Sequence, residues 1–245
     1  TPRTACLLKA PAMPHNAARR QFVLQLASVS AVVAGGSALS GCGGDGEAPV
    51  FMYGVASGDP QADRVILWTH ARFPSLSEAV QLRYEVADDA SFKAIVSSGQ
   101  VTASAATGYT AKVDATGLAP GKTYYYRFTN GWVTSPVGIT RTLPAATSEL
   151  RLAVLSCANY PAGLFNIYAE VAQSDAHFAI HLGDYIYEYD AAGYASADAA
   201  ALGRTSVPAN ELRTLDDYRQ RHAQYKSDAD SKAMHARMPL IAVWD

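Results

Sequence analysis

Short hydrophobic runs that alternate with polar residues dominate the first half of the chain. Between residues 51 and 143 these runs are rich in β-branched and aromatic residues, and turn residues separate them. Alternation with a period of two is typical of strands that bury one face. The spacing predicts a β-sandwich whose strands include residues 65–69, 81–86, 95–100, 109–113 and 124–128.

The hydrophobic pattern changes after residue 149. Two apolar runs, at residues 150–155 and 178–182, flank an amphipathic stretch at residues 165–171. This order predicts two parallel strands joined by a crossover helix. Together they form one βαβ unit.

The last part of the chain predicts further helices and a third strand. Residues 191–210 are rich in Ala, Ser and Gly and predict a loop. Residues 211–225 have apolar side chains at helical intervals, and Ser227 can cap a second short helix that reaches Arg237. An apolar run at residues 240–244 then predicts the strand.

A linker rich in Pro, Ala and Thr, at residues 143–148, separates the two patterns. With 245 residues, of which 49% are hydrophobic and 17% charged, the chain can form one large domain or two small ones. We predict a multidomain fold of β plus α/β class, with a β-sandwich at residues 51–145 and an α/β unit at residues 149–245.

Both predicted strands of the βαβ unit end at a residue with metal-binding chemistry. Cys157 follows the first strand and Asp184 follows the second. Because the carboxyl ends of strands in an open α/β sheet meet at one crevice, we expect these side chains to lie close together. Tyr187 comes three residues later, and a thiol, a carboxylate and a phenol form an anion-rich set suited to a cation. The pattern predicts a metal site.

Each of these side chains also has a structural interpretation. Taken alone, Cys157 fits a buried apolar residue, Asp184 a turn residue and Tyr187 an amphipathic residue at a rim. His181 lies within the second strand and is interpreted as a core histidine or as one that orients a ligand. His177 is given no role.

The N-terminal segment has the features of an export signal. Arg19 and Arg20 precede a moderately apolar run to Ala34, and the sequence LSG then precedes Cys42. This resembles a twin-arginine signal followed by a lipobox. The alternative is a basic, Ala-rich tail that matches by chance, since the apolar run is too short for a convincing membrane span.

We therefore expect export by the twin-arginine route and attachment to the membrane through lipid on Cys42, in the periplasm or at the outer membrane. A natural start for such a signal is Met13, so residues 1–12 are interpreted as an upstream extension. Residues 42–50 would form a tether.

Charge and cysteine content narrow the possible partners. Residues 1–41 contain four basic residues and no acidic one, whereas the rest of the chain contains 16 basic and 22 acidic residues, a net charge of −6. This balance argues against a nucleic-acid-binding surface. Cys6 and Cys42 lie in or beside the targeting segment, which leaves Cys157 without a disulfide partner.

The sandwich region resembles a known class of domain. Residues 118–121, LAPG, followed by the tyrosine-rich strand at residues 124–128, resemble the tyrosine corner of fibronectin type III domains. Alternation along that strand places Tyr124, Tyr126 and Phe128 on one face. We interpret these aromatic side chains as core packing rather than as a ligand site.

Four sequence blocks point to a family. The stretch at residues 181–187, HLGDYIY, resembles the G-D-x-x-Y form of the second metallophosphoesterase block. Together with SCANY at residues 156–160, GVASGDP at residues 54–60 and VWD at residues 243–245, it resembles PhoD-type alkaline phosphatases. The resemblance covers residues 51–245.

This resemblance implies a function, a cofactor and a site. The second domain would be the first half of a metallophosphoesterase α/β sandwich, and the protein would be a monomer that hydrolyses small phosphomonoesters or phosphodiesters through hydroxide formed at a binuclear Fe(III) and Ca(II) centre. Asp184 would bridge the two ions as the catalytic residue, and Cys157 and Tyr187 would bind the iron.

The sequence also departs from the family pattern. Family members continue from the block that contains Trp244 into Asp-His-Glu and a long C-terminal half with further ligands, so Asp245 is left out of the metal set. We expect this chain alone to be catalytically silent. The alternative is a fibronectin-like lipoprotein binding module that carries a non-catalytic phosphoesterase relic.

Overall fold

The computed structural model describes residues 48–244. The predicted signal, the lipid site at Cys42 and most of the tether lie outside the described residues, as does Asp245. The fold of the described part contains ten strands and three α-helices. In this part of the chain, no helix has the length and hydrophobicity needed to cross a membrane.

Seven strands form a β-sandwich. They are β1 Val55–Gly58, β2 Arg64–His70, β3 Val80–Ala87, β4 Ile95–Ala103, β5 Thr110–Thr116, β6 Thr123–Thr129 and β7 Gly138–Arg141. One layer has the order β5-β2-β1 and the other the order β4-β3-β6-β7, with antiparallel pairing throughout both layers. The five strands predicted from alternation are all present.

The core of the sandwich follows from that alternation. Leu67 on β2, Leu82 on β3 and Tyr126 and Phe128 on β6 point between the two layers and are at most 2% exposed. Burying each such side chain stabilises the fold by roughly 1.5–3 kcal/mol. The interpretation of the tyrosine-rich strand as core packing is confirmed.

The predicted tyrosine corner is present as well. The hydroxyl of Tyr124 accepts a hydrogen bond from the backbone N–H of Ala119 at 2.8 Å, and the ring is 2% exposed. This bond ties the turn before β6 to the strand.

The remaining elements form the parallel part of the fold. They are β8 Leu152–Leu155, α1 Asn166–Gln173, β9 Phe178–His181, α2 Leu215–Ser227, α3 Ala229–Arg237 and β10 Leu240–Ala242. Strand β9 lies between β8 and β10, and both pairings are parallel. The predicted βαβ unit and third strand are confirmed, and the segment at residues 191–210 contains neither helix nor strand, as expected.

The helix caps correct one prediction. Ser227 does not cap α3, because its hydroxyl donates to the carbonyl oxygen of Gln224 at 2.7 Å. Asp228 caps the helix instead, and its carboxylate accepts hydrogen bonds from the backbone N–H groups of Asp230 and Ser231 at 2.9 and 3.0 Å. An ionised carboxylate is also favoured by the positive end of the helix dipole.

The two parts of the fold share a sheet. Strand β1 pairs in parallel with β10 at Gly58 and Leu240, so a single six-stranded sheet runs in the order β5-β2-β1-β10-β9-β8. A Cβ atom at Gly58 would lie 2.8 Å from the carbonyl oxygen of Leu240, which is too close for any other residue. The contact between the two parts therefore depends on glycine at this position.

One face of the parallel strands is covered, whereas the other face is exposed at the edge strand β8 in the described part of the chain. Ala179 and Leu240 pack with Tyr168 of α1 and Met234 of α3 in one buried cluster. On the opposite face Leu152 and Val154 of β8 are 42% and 58% exposed. Strand β8 is also the edge of the six-stranded sheet.

Candidate metal centre

Strands β8 and β9 hold the candidate site between their carboxyl ends. Leu155 and His181 are the last residues of these strands and lie side by side in register. Beyond them, the backbone N–H of Cys157 donates to the carbonyl oxygen of Gly183 at 3.2 Å, and that of Ala158 donates to Asp184 at 2.9 Å. These bonds fix the two strand-end loops against each other.

Both candidate ligands at the strand ends have an unusual backbone conformation. Cys157 has φ of +57° and Asp184 has φ of +50°. A non-glycine residue in this left-handed region costs on the order of 1–3 kcal/mol, and such residues cluster at functional sites. The turn redirects each side chain from the strand toward the crevice.

The three side chains predicted from the sequence meet at one carboxylate oxygen. Tyr187 donates its hydroxyl hydrogen to Oδ2 of Asp184 at 2.7 Å, and Sγ of Cys157 donates to the same atom at 3.6 Å. Cys157 is exposed, while Asp184 and Tyr187 are half-buried. The expected convergence is therefore present, and the role of these residues as metal ligands stays a prediction.

Electrostatics keep a proton on the phenol in the absence of a cation. Burial, followed by the hydrogen bond to Asp184 and the nearby Cys157, raises the pKa of Tyr187 well above its ordinary value. The ring also stacks on Tyr189, with centroids 6.2 Å apart and an interplanar angle of 20°. A metal ion at this position would have to displace the phenolic proton.

The chemistry of the donor set fits a metal ion. Bonds of roughly 2.0–2.3 Å to one ion place neighbouring ligand atoms about 3–4 Å apart, close to the spacings found here. Within residues 48–244 no group of three or more His, Cys, Asp and Glu side chains is arranged to hold a metal, and the third predicted donor, the phenol of Tyr187, is of a different kind. The buried Oδ1 of Asn159, which has no hydrogen-bond partner in this part of the chain, is a further oxygen in the same loop.

Arg221 on α2 positions the Tyr187 loop, and sequence reasoning missed it. Its guanidinium donates to the carbonyl oxygens of Tyr187, Tyr189, Val207 and Pro208, and the residue is 1% exposed. Its position, three residues after Tyr218 and four before Tyr225 on the apolar face of the helix, is the signal that could have revealed it.

Arg204 has a similar structural role in the loop after the site. Its guanidinium pairs with Asp228 at 2.6 Å and donates to the carbonyl oxygen of Tyr160 at 2.8 Å. It also stacks 3.6 Å from the ring centre of Tyr160. This contact joins the loop at residues 191–210 to the strand-end loop after β8.

The histidines near the site lie in the core or on its edge. His181 is fully buried, with Nε2 3.3 Å from the hydroxyl of Tyr168, and burial lowers its pKa. His235 on α3 is 5% exposed and lies 2.9 Å from the hydroxyl of Tyr185. His177 contacts Arg151 at 3.1 Å, away from the candidate ligands.

Comparison with known proteins identifies the class of protein to which this fold and site belong. Residues 37–144 match the model of the PhoD-like phosphatase N-terminal domain, and residues 152–245 match the model of the PhoD-like phosphatase itself. The chain belongs to the PhoD-like phosphatase family.

Individual relatives agree with this assignment. Alkaline phosphatase D of Bacillus subtilis (strain 168) is 42% identical over 204 residues, which cover 80% of this chain and 34% of the relative. A solved structure described as PhoD superposes with a TM-score of 0.72 at 42% identity and covers 80% of this chain and 38% of its own. The chain thus spans little more than a third of the length of these relatives.

The fibronectin resemblance has weaker support. The fn3 domain of human contactin 1 is 19% identical, and its TM-score is 0.27 over 47% of this chain. A score of this size carries no argument about the fold.

Proposed function

We propose that this chain is part of an exported alkaline phosphatase that hydrolyses small phosphomonoesters or phosphodiesters at a binuclear metal centre. The observation that carries the proposal is the convergence of Cys157 and Tyr187 on one oxygen of Asp184. Membership of the PhoD-like phosphatase family supports the reaction class. The proposed metals are Fe(III) and Ca(II).

Each residue of the proposed site would have its own role in binding the two ions. Asp184 would bridge them, since a carboxylate has two oxygens, and Cys157 and Tyr187 would bind the iron as anionic ligands. When bound, the two ions would polarise a phosphoryl oxygen and acidify a water molecule. Tyr187 would release its proton on metal binding, while Arg221 keeps the backbone of the phenol in place.

Several further features belong to the same proposal. Export through a twin-arginine signal and lipid on Cys42 would place a monomeric enzyme at the periplasmic side of a membrane. The fold would be a fibronectin-like sandwich followed by the first half of a metallophosphoesterase sandwich. The exposed apolar face of β8 supports a role for further polypeptide in covering this sheet.

Metal loading gives the first test. A phenolate bound to ferric iron should give a visible charge-transfer band when a longer protein that continues past Asp245 is purified and loaded with iron and calcium. Tyr187→Phe should remove the band, and Asp184→Asn should remove both metals, as measured by elemental analysis. Tyr189→Phe is the matched control. It keeps the ring that stacks on Tyr187 and removes only the hydroxyl of Tyr189, so the band should be unchanged. A band that survives in Tyr187→Phe would contradict the assigned ligand.

Hydrolysis gives the second test. We expect p-nitrophenyl phosphate to be cleaved by a longer protein that continues past Asp245, and expect residues 50–245 alone to be silent. A binuclear mechanism needs both ions, and the described donors are too few for two. Turnover by residues 50–245 at the rate of the longer protein would show that the ligand set is wrong.

A further inference from the structure

A second cavity lies between the sandwich and helix α2. Its volume is about 660 Å³, which is within the usual range for small-molecule sites. Tyr53, Trp68, His70, Tyr109 and Tyr218 contribute aromatic walls. The ring centre of His70 lies 4.6 Å from that of Tyr53 and 6.4 Å from that of Tyr109, so these three rings form a continuous surface.

The cavity is also cationic. Arg72, Arg219 and Lys226 line it, against a single carboxylate from Asp216. Among the residues that the structure describes, none of these three cations forms an ion pair with a carboxylate. The surplus of unpaired positive charge favours an anionic ligand.

Two of the cations lie against aromatic faces. The guanidinium of Arg72 is 5.0 Å from the ring centre of Tyr109, and Nζ of Lys226 is 5.1 Å from that of Trp68. Burial lowers the pKa of Lys226 to about 8, which leaves it charged at pH 7. Burial, with the nearby Lys226, lowers the pKa of His222 to about 4, so this histidine is neutral at the same pH.

The cavity adjoins the candidate metal centre. A neighbouring cavity of about 380 Å³ is bordered by Asp184 and Trp244, and Tyr218 and His222 line both cavities. A ligand in the cationic cavity would therefore be separated by Tyr218 and His222 from the cavity that Asp184 borders.

We propose that the cationic cavity binds the organic group of the substrate, and that this group carries an aromatic or heteroaromatic ring together with an anionic charge. The ring would stack on the aromatic walls, and the charge would lie among Arg72, Arg219 and Lys226. A nucleoside monophosphate group has both features, and the substrate would carry it in addition to the phosphoryl group that is hydrolysed. This inference rests on the proposed phosphatase function, because it assigns the substrate class of that enzyme.

The test is a binding titration on the metal-free chain at pH 7. Adenosine 5′-monophosphate should bind saturably, as followed by calorimetry. Ribose 5-phosphate lacks the aromatic ring and adenosine lacks the charge, so each of these two compounds should bind at least tenfold more weakly than adenosine 5′-monophosphate. Lys226→Met and Arg219→Gln should each raise the Kd for adenosine 5′-monophosphate about tenfold. Lys93→Met is the control, because Lys93 is exposed on the other layer of the sandwich and should leave the Kd unchanged.

Arg219 is exposed, so its variant remains informative if Lys226→Met fails to fold. The absence of saturable binding, equal binding of the three probes, or a Kd unchanged in both variants would overturn the proposal. Loss of binding in a longer protein would overturn it too, because polypeptide would then fill the cavity. If the chain binds the nucleotide but the longer protein hydrolyses no ester, the proposed phosphatase function is wrong and this binding site stands. If the longer protein hydrolyses esters but the chain binds no nucleotide, this binding site is wrong and the phosphatase function stands.

Discussion

The β-sandwich and the parallel-sheet region bury different kinds of side chain. Between the sandwich layers the buried residues are apolar or aromatic, with a few small hydroxyls, while His70 lies on the outer side in the cavity beside α2. The parallel-sheet region buries two arginines, Arg204 and Arg221, and two histidines, His181 and His235. Burying charge or titratable groups costs free energy unless each polar atom finds a partner.

This difference shows that the parallel-sheet region, unlike the sandwich, contains features that cost stability and position particular side chains. Alternation alone is enough to build the sandwich core, since its strands need only a common apolar interior. At the strand ends, Cys157 and Asp184 adopt left-handed conformations and Arg221 binds four carbonyl groups. These features position the side chains of Cys157, Asp184 and Tyr187 and do not increase the buried apolar area.

Removal of the buried guanidinium should have the largest effect. We expect Arg221→Met to lower the free energy of unfolding by about 3 kcal/mol or more, because several buried carbonyl groups would lose their donor. Arg213→Met, on the exposed surface before α2, should change it by less than about 0.5 kcal/mol. Urea unfolding of both variants measures the contrast, and equal stabilities would show that the Arg221 contacts contribute little.

A substitution at the contact between the two regions should lower the free energy of unfolding nearly as much. Gly58→Ala places a Cβ 2.8 Å from the carbonyl oxygen of Leu240, so we expect a loss of about 2 kcal/mol and weaker protection of β10 in hydrogen exchange. Gly163→Ala is the control, because no atom lies within 4 Å of its Cβ position. If Gly58→Ala leaves β10 as protected as in the wild type, the pairing of β1 with β10 does not depend on glycine at this position.

Acid should destabilise the parallel-sheet region through His235. Burial lowers the pKa of this side chain to about 3, so the unfolded state takes up a proton below about pH 6.5 and the folded state does not. Its contribution is fully present above pH 6.5 and is lost as the pH falls toward 3, by at most about 1.4 kcal/mol per pH unit. We expect His235→Gln to flatten the fall of the unfolding free energy between pH 6.5 and 4.5, and an unchanged slope would assign the acid sensitivity to other groups.

The smallest expected effect isolates the backbone strain at the site. In an ordinary strand or loop, glycine is less stable than alanine by roughly 0.5–1 kcal/mol, but at φ of +57° the order should reverse. Cys157→Gly should therefore be more stable than Cys157→Ala by about 1 kcal/mol, whereas Ser156→Gly should be less stable than Ser156→Ala. Thermal unfolding of the four variants provides the comparison, and the same order at both positions would argue against strain.

Much of the sandwich could be predicted because its signals are local. Residues 124–128 show the period of a strand, and the LAPG turn before them shows the tyrosine corner that the Tyr124 hydrogen bond confirms. Strands β1 and β7 were missed because they are four residues long and include glycine, which has little strand preference. Alternation cannot be detected over so few positions.

The candidate site was predicted in part. Cys157 and Asp184 each follow an apolar run, and the rule that parallel strands end at one edge was enough to bring them together with Tyr187. The cap at Asp228 was missed by one residue, since Ser and Asp are both good caps and only the geometry of the helix end chooses between them.

By itself, the sequence determined most local features of this protein: the longer strands, the helices, and the residues that follow them. Only the tertiary structure decided that β1 pairs with β10 through Gly58, that Arg221 binds the Tyr187 loop, and that Trp68 and Lys226 line one cavity. The physical reason is range. Periodicity and turn chemistry act over a few neighbouring residues, whereas these contacts join segments far apart in the chain and depend on how complete elements pack.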